Sequence, residues 1–137
     1  MPDEFVLDAS VAAKVFIDEE GSSAAEAFVL SGVRLVAPEL VLVELANVAV
    51  KRLRAGDISR GAADHMIATA PTVFDELVSS KDLFERAFAL AAEHGISTYD
   101  AMYVALAEDR GRDLVTADTR LIRRMATSGI AVTTRTL

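Results

Sequence analysis

The chain has no cysteine and no tryptophan, and only two histidines, three prolines and seven scattered glycines among 137 residues. Without cysteine there can be no disulfide, thiolate zinc site or cysteine nucleophile. The glycines fall into neither a G-x-G-x-x-G fingerprint nor a phosphate-binding P-loop, so nucleotide cradles of those types are excluded. Long hydrophobic runs are also missing. No stretch beyond ten residues lacks Asp, Glu, Lys and Arg, whereas a membrane-spanning helix needs about 20 mostly apolar residues. The opening "MPDEFVLDAS" is acidic and lacks the basic start and long apolar run of an export signal. A protein with no membrane association and a cytoplasmic location is the expectation. Positive charge is scarce as well: 14 bases face 21 acids, for a net charge of -7. A general attraction to nucleic acid is therefore absent. A polyanion must be met locally, by Lys51, Arg52 and Arg54, by Arg120, Arg123 and Arg124, or through bound divalent cations.

What is present suits one domain spanning 1–137, long enough to bury roughly two thirds of its unfolded surface around one core. Hydrophobic residues make up 52% and mean hydropathy is +0.31, rich enough to leave apolar surface for a partner, most simply a second copy. Strand and helix patterns alternate. "EFVLD" and "DLVTAD" read as strands ending in an acid, "RLVAP", "TVFDELV" and "IAVTTRTL" as further strands. Between them, "SVAAKVFI", "AAEAFVLSG", "PELVLVELANVAVKRLRAG", "ISRGAADHMIATA", "KDLFERAFALAAEHG", "STYDAMYVALAEDRG" and "TRLIRRMATSG" have helical spacing. Gly32, Gly56, Gly95 and Gly129 mark helix ends, Ser80 and Ser97 mark starts, and Pro38 suits a first helical turn. Such alternation predicts an α/β fold with a central, mainly parallel sheet between two helical layers and ligands beyond the strands' carboxyl ends.

Four acids stand out against this frame. Asp8 and Asp118 each follow an apolar strand, where an Asx turn or a helix cap is the local alternative. Glu44 and Asn47 alone interrupt an apolar run from Leu40 to Val50, which predicts that both lie near the interior or in a cleft. Asp100 opens a helix whose middle, Ala101 to Ala107, is apolar on every side, and Ser97 three residues earlier makes a capping arrangement. Four converging carboxylates repel one another, and each is driven to bind a proton unless a cation neutralises the group. An all-oxygen set favours magnesium or manganese over zinc. His65 reads as an ordinary helix residue and His94 as a helix C-terminal one.

"VLDASV", "PELVLVELANV", "ISTYDAMYVALAEDRG" and "LVTADTRL", in this order, resemble the PIN-domain ribonucleases, in particular the VapC-type toxins of type II toxin-antitoxin pairs. The resemblance covers almost the whole chain. It implies a three-layer α/β/α PIN-like domain in which Asp8, Glu44, Asp100 and Asp118 form the catalytic acidic quartet and hold Mg2+, with Mn2+ as a substitute. Ser10 and Thr116 match small polar positions that assist the first and last acids, and Asn47 stands one turn after Glu44. The implied reaction is hydrolysis of an RNA phosphodiester by a metal-activated water. A VapB-type antitoxin and a homodimer are the implied partners.

Other classes fit the residues less well. A phospho-acceptor signalling domain shares the length and an Asp after a strand but should carry a late lysine, and the lysines here are Lys14, Lys51 and Lys81. A haloacid-dehalogenase-like phosphatase wants a second Asp two positions after the first, where Ser10 stands. A catalytically silent member acting only through its antitoxin is the remaining alternative.

Overall fold

The computed structural model describes residues 3–137. Five strands are β1 (Glu4–Leu7), β2 (Arg34–Pro38), β3 (Glu76–Val78), β4 (Leu114–Val115) and β5 (Thr134–Arg135). Seven helices are α1 (Ala9–Phe16), α2 (Ser22–Val29), α3 (Leu40–Ala55), α4 (Arg60–Thr69), α5 (Ser80–His94), α6 (Thr98–Arg110) and α7 (Thr119–Ser128), with a short 3-10 turn at Ala70–Val73. The sheet runs β3-β2-β1-β4-β5, and each of its four pairings is parallel. Val6 at its centre faces Val36 on one side and Leu114 on the other.

This order fixes where a site belongs. From β1 through β2 to β3 the chain steps towards one edge, then crosses back to β4 and continues to β5. Right-handed crossovers therefore put α1 to α4 on one face of the sheet and α5 to α7 on the other, giving three layers. The direction reverses between β1 and β4, and the crevice beyond their carboxyl ends is the switch point where parallel sheets bind ligands. Asp8 directly follows β1 and Asp118 lies three residues beyond β4.

The core is built from both layers. Leu7, Val36 and Leu114 from the sheet meet Val41 and Leu45 of α3, Leu90 of α5 and Leu106 of α6, all fully or almost fully buried. Every residue from Ala101 to Ala107 is buried, so α6 is packed on all sides, as its apolar run predicts. The opposite, amino edge of the sheet is closed by ion pairs. Glu4 lies 2.9 Å from Arg34, 3.5 Å from Arg112 and 3.7 Å from Arg110, while Glu76 meets Arg34 at 3.0 Å and Arg110 at 2.6 Å.

Several local expectations are corrected. Pro38 ends β2, paired with Val78, and α3 begins only after Glu39; a proline lacking its N–H is tolerated at a strand end. "TVFDELV" divides into the 3-10 turn, which carries Pro71 in its first turn, and the three-residue β3. Ser79, not Ser80, caps α5, accepting from the Lys81 N–H at 3.3 Å. α2 stops at Val29, three residues before Gly32, and β4 and β5 are only two residues each. Asn47 is exposed, because α3 leaves one apolar face bare: Val43 is 68% and Val50 40% exposed.

Candidate active site

Asp8 is nearly buried, and its side chain makes no capping bond to α1. Instead its Oδ2 accepts from the Ser10 hydroxyl at 2.6 Å and from the Thr116 hydroxyl at 2.8 Å. Each hydroxyl in turn accepts a backbone N–H from the segment after β4, Ser10 from Ala117 at 2.9 Å and Thr116 from Asp118 at 3.0 Å. Since both hydroxyl protons point to Asp8, the 3.3 Å contact between Ser10 and Thr116 is proximity and not a third bond. Two backbone dipoles are thereby relayed onto one carboxylate. Burial drives the Asp8 carboxyl above its ordinary range, the two hydroxyls oppose that rise, and the Asp118 charge adds to it.

Glu44 lies half-buried on the inner side of α3 and accepts from the Tyr103 hydroxyl at 2.6 Å. Tyr103 is itself 1% exposed, so its hydroxyl needs a partner and Glu44 is that partner. Desolvation raises the Glu44 pKa, Tyr103 lowers it, and the charges of Asp8 and Asp100 raise it further. Asp100 is half-buried in the first turn of α6, where its N–H reaches the Ser97 Oγ cap at 3.0 Å. Burial raises its pKa first, then the charges of Asp8 and Asp118, while Ser97 and Arg124 pull it down. Asp118 takes the helix-cap position: Oδ1 accepts from the Arg120 and Leu121 N–H groups at 3.0 and 3.2 Å.

Acids separated by up to 110 positions are thus brought within range of one another's charge: Asp8 with Glu44, Asp100 and Asp118, and Asp100 with Glu44 and Asp118. They face one another without having closed on a common point. Among the described residues no three His, Cys, Asp or Glu side chains form a ready metal cage. A set of mutually repelling carboxylates with oxygen donors alone matches a hard divalent cation. The donor chemistry therefore fits magnesium or manganese. A cleft of about 280 Å³ lies on one side, lined by Asp100, Asp118, Ser97, Arg120 and Arg124. His65 is exposed on α4 and His94 ends α5, as read from their sequence positions. Tyr103 was hidden by the apolar run around it. The signal that could have revealed it is general: a buried tyrosine hydroxyl demands a polar partner.

The PIN domain family model matches residues 5–127. The chain belongs to the PIN-domain family. This PIN domain is 37% identical over 123 residues to Ribonuclease VapC3 from Pyrobaculum aerophilum, a match covering 88% of this chain and 94% of the relative. Among solved structures it is similar to PAE2754 from Pyrobaculum aerophilum, at TM-score 0.72 and 25% identity over 90% of this chain and 87% of that one. The fold also matches VapBC2 from Rickettsia felis, solved with a DNA fragment from their promoter, at TM-score 0.67 and 10% identity over 98% of both chains. Membership removes the phospho-acceptor, dehalogenase-like and nucleotide-binding alternatives for this PIN domain.

Proposed function

We propose that the chain, as one domain over 1–137, is the toxin of a type II toxin-antitoxin pair and acts as a divalent-metal-dependent ribonuclease. Asp8, Glu44, Asp100 and Asp118 are the groups that hold Mg2+ or Mn2+. The observation that carries this reading is the mutual charge of carboxylates from β1, α3, α6 and the end of β4, three of them pushed towards the protonated form by burial and by each other. Glu44 and Asp118 have local partners in Tyr103 and the first turn of α7, but those partners do not account for the charges of Asp8, Glu44 and Asp100 facing one another. When bound, a divalent cation supplies Lewis acidity: it makes water nucleophilic near neutral pH and offsets charge on the phosphate and the leaving oxygen. Thr116 and Ser10 fix the orientation of Asp8 and oppose the rise in its pKa, and Tyr103 does the same for Glu44. The hydroxyls of Ser10 and Thr116 are both engaged, and Thr116 is fully buried, so they position Asp8 and do not attack substrate.

A cytoplasmic location is proposed with this activity, on the ground of its RNA substrate. On the described residues no helix is long and apolar enough to cross a membrane. A VapB-type antitoxin and a homodimer are the proposed partners, consistent with the naming of the VapC3 relative and with exposed Val43 and Val50 on α3 and Phe84 and Phe88 on α5. The test is cleavage of mixed cellular RNA by purified protein freed of antitoxin, in magnesium or manganese and in EDTA, beside Asp100→Asn. Metal-dependent cleavage that falls at least a hundredfold in the variant is expected. Equal cleavage by wild type and variant, or cleavage indifferent to EDTA, defeats the proposal.

A further inference from the structure

A nuclease that carries a net charge of -7 must still grip a polyanion. Of its 14 cationic side chains, eight lie in ion pairs with the chain's own acids. Lys14 and Arg52 are both tied to Glu19. The other six, among the described residues, are Lys51, Arg54, Lys81, Arg120, Arg123 and Arg124. Two of these six, Arg120 and Arg124, line the cleft that Asp100 and Asp118 open onto. Their positions four apart on α7 put them on one side of the helix, displaced by about 6 Å along its axis.

Other features held these arginines in place only partly. Arg124 donates to the Gly95 carbonyl at the end of α5, a neutral acceptor, and makes no ion pair, although its charge reaches Asp100 across the cleft. Arg120 has its backbone N–H on Asp118 Oδ1, while its side chain is exposed. The cleft wall is therefore positive and its floor negative. A phosphodiester strand satisfies such a wall through bidentate guanidinium contacts, and a site of this kind selects the backbone and not the base.

Resting on the ribonuclease reading above, we propose that Arg120 and Arg124 form the substrate-holding wall of the site: they bind backbone phosphates of single-stranded RNA next to the bond that the acids hydrolyse. The pair supplies local attraction that the chain as a whole lacks. Arg123, exposed on the same helix but outside the cleft, takes no part.

The experiment compares wild type, Arg120→Gln, the double variant Arg120→Gln/Arg124→Gln, and Arg123→Gln as a charge-matched control. A fluorescein-labelled 20-nucleotide single-stranded RNA of mixed sequence serves both for cleavage kinetics in manganese and for anisotropy titration in calcium. Thermal melting confirms that each variant is folded, and Arg120→Gln, which leaves the Gly95 contact intact, keeps the test open if the double variant is not. For the double variant KM should rise about tenfold with kcat within twofold, and the slope of log kcat/KM against log salt should flatten by about 1.4, the value for two lost contacts to a single strand. Arg120→Gln should show about half of that flattening, and Arg123→Gln should match wild type. An unchanged KM and salt slope overturns the inference, as does an equal loss in Arg123→Gln. A fall in kcat with a shifted pH profile and unchanged KM also overturns it, because the arginines would then act on the charge of Asp100. If wild type cleaves nothing, the ribonuclease reading falls, while the anisotropy titration still decides whether these two arginines bind RNA.

Discussion

Replacing Thr116 by valine tests the relay that holds Asp8. The exchange keeps the shape of a fully buried side chain and removes one hydroxyl that both donates to Asp8 at 2.8 Å and accepts from the Asp118 N–H at 3.0 Å. A hydrogen bond to a charged group contributes about 1.5 to 3 kcal/mol, and leaving the Asp118 N–H without an acceptor costs about 1 kcal/mol more. The added methyl returns under about 1 kcal/mol. A net loss of about 3 kcal/mol follows at neutral pH, where Asp8 is meant to carry charge. With an unfolding entropy of about 2.1 cal/mol/K per residue, a chain of 137 residues should melt about 10 °C lower. Differential scanning calorimetry of wild type, Thr116→Val and Thr116→Ser measures this, with the serine variant keeping the hydroxyl and most of the stability. Manganese titration of the same proteins should show weaker binding in Thr116→Val, since Asp8 gives up its charge more readily. A valine variant that melts within 2 °C of wild type and binds manganese equally well would refute the relay.

Two further outcomes follow from the same electrostatics. Asp8, Glu44 and Asp100 hold their protons more tightly folded than unfolded, so without metal their contribution to stability should decline as pH rises through and above the ordinary carboxylate range, against the smaller opposite contribution of the partly exposed, arginine-paired Glu76 and Glu108. Manganese removes that penalty, and its effect on the melting temperature should therefore grow from near zero at pH 4 to several degrees at pH 7.5; an increment that does not change with pH would contradict the clustering of charge. Tyr103→Phe leaves Glu44 half-buried without its 2.6 Å donor, which should weaken manganese binding about tenfold by isothermal titration while the far-ultraviolet circular dichroism stays the same. Unaltered affinity would separate Tyr103 from the site.

Much of this was legible in the residues because helix ends and strand ends announce themselves locally. Gly56 and Gly95 close α3 and α5 in the left-handed region, at φ 78° and 68°, and Ser97 caps α6 through the Asp100 N–H. Asp8 and Asp118 stand out in the sequence only together with Glu44 and Asp100, because an acid after an apolar strand has a turn or cap as its local use, and Asp118 does cap α7. What escaped notice depends on tertiary surroundings. Asn47 was expected near the interior since its neighbours are apolar, yet α3 has a bare apolar face and the polar residue lies on it. Pro38 has the composition of a helix start, and only pairing with Val78 makes it a strand end. Tyr103 and Glu44 are 59 positions apart, and no spacing rule links a residue in a buried helix to one carboxylate on another.

The ion pairs of Glu4, Glu76, Arg34, Arg110 and Arg112 give the sheet a polarity that its parallel strands alone do not explain. At the end where strands begin, every acid of this group has found an internal counter-charge; at the end where they finish, Asp8, Glu44 and Asp100 have mainly one another. Folding is thus completed at one pole and left electrostatically open at the other. Removing a charge at the ion-paired pole takes away an attraction, whereas neutralising Glu44 or Asp100 at the other takes away a repulsion, so the two ends of one sheet answer the loss of charge with opposite sign.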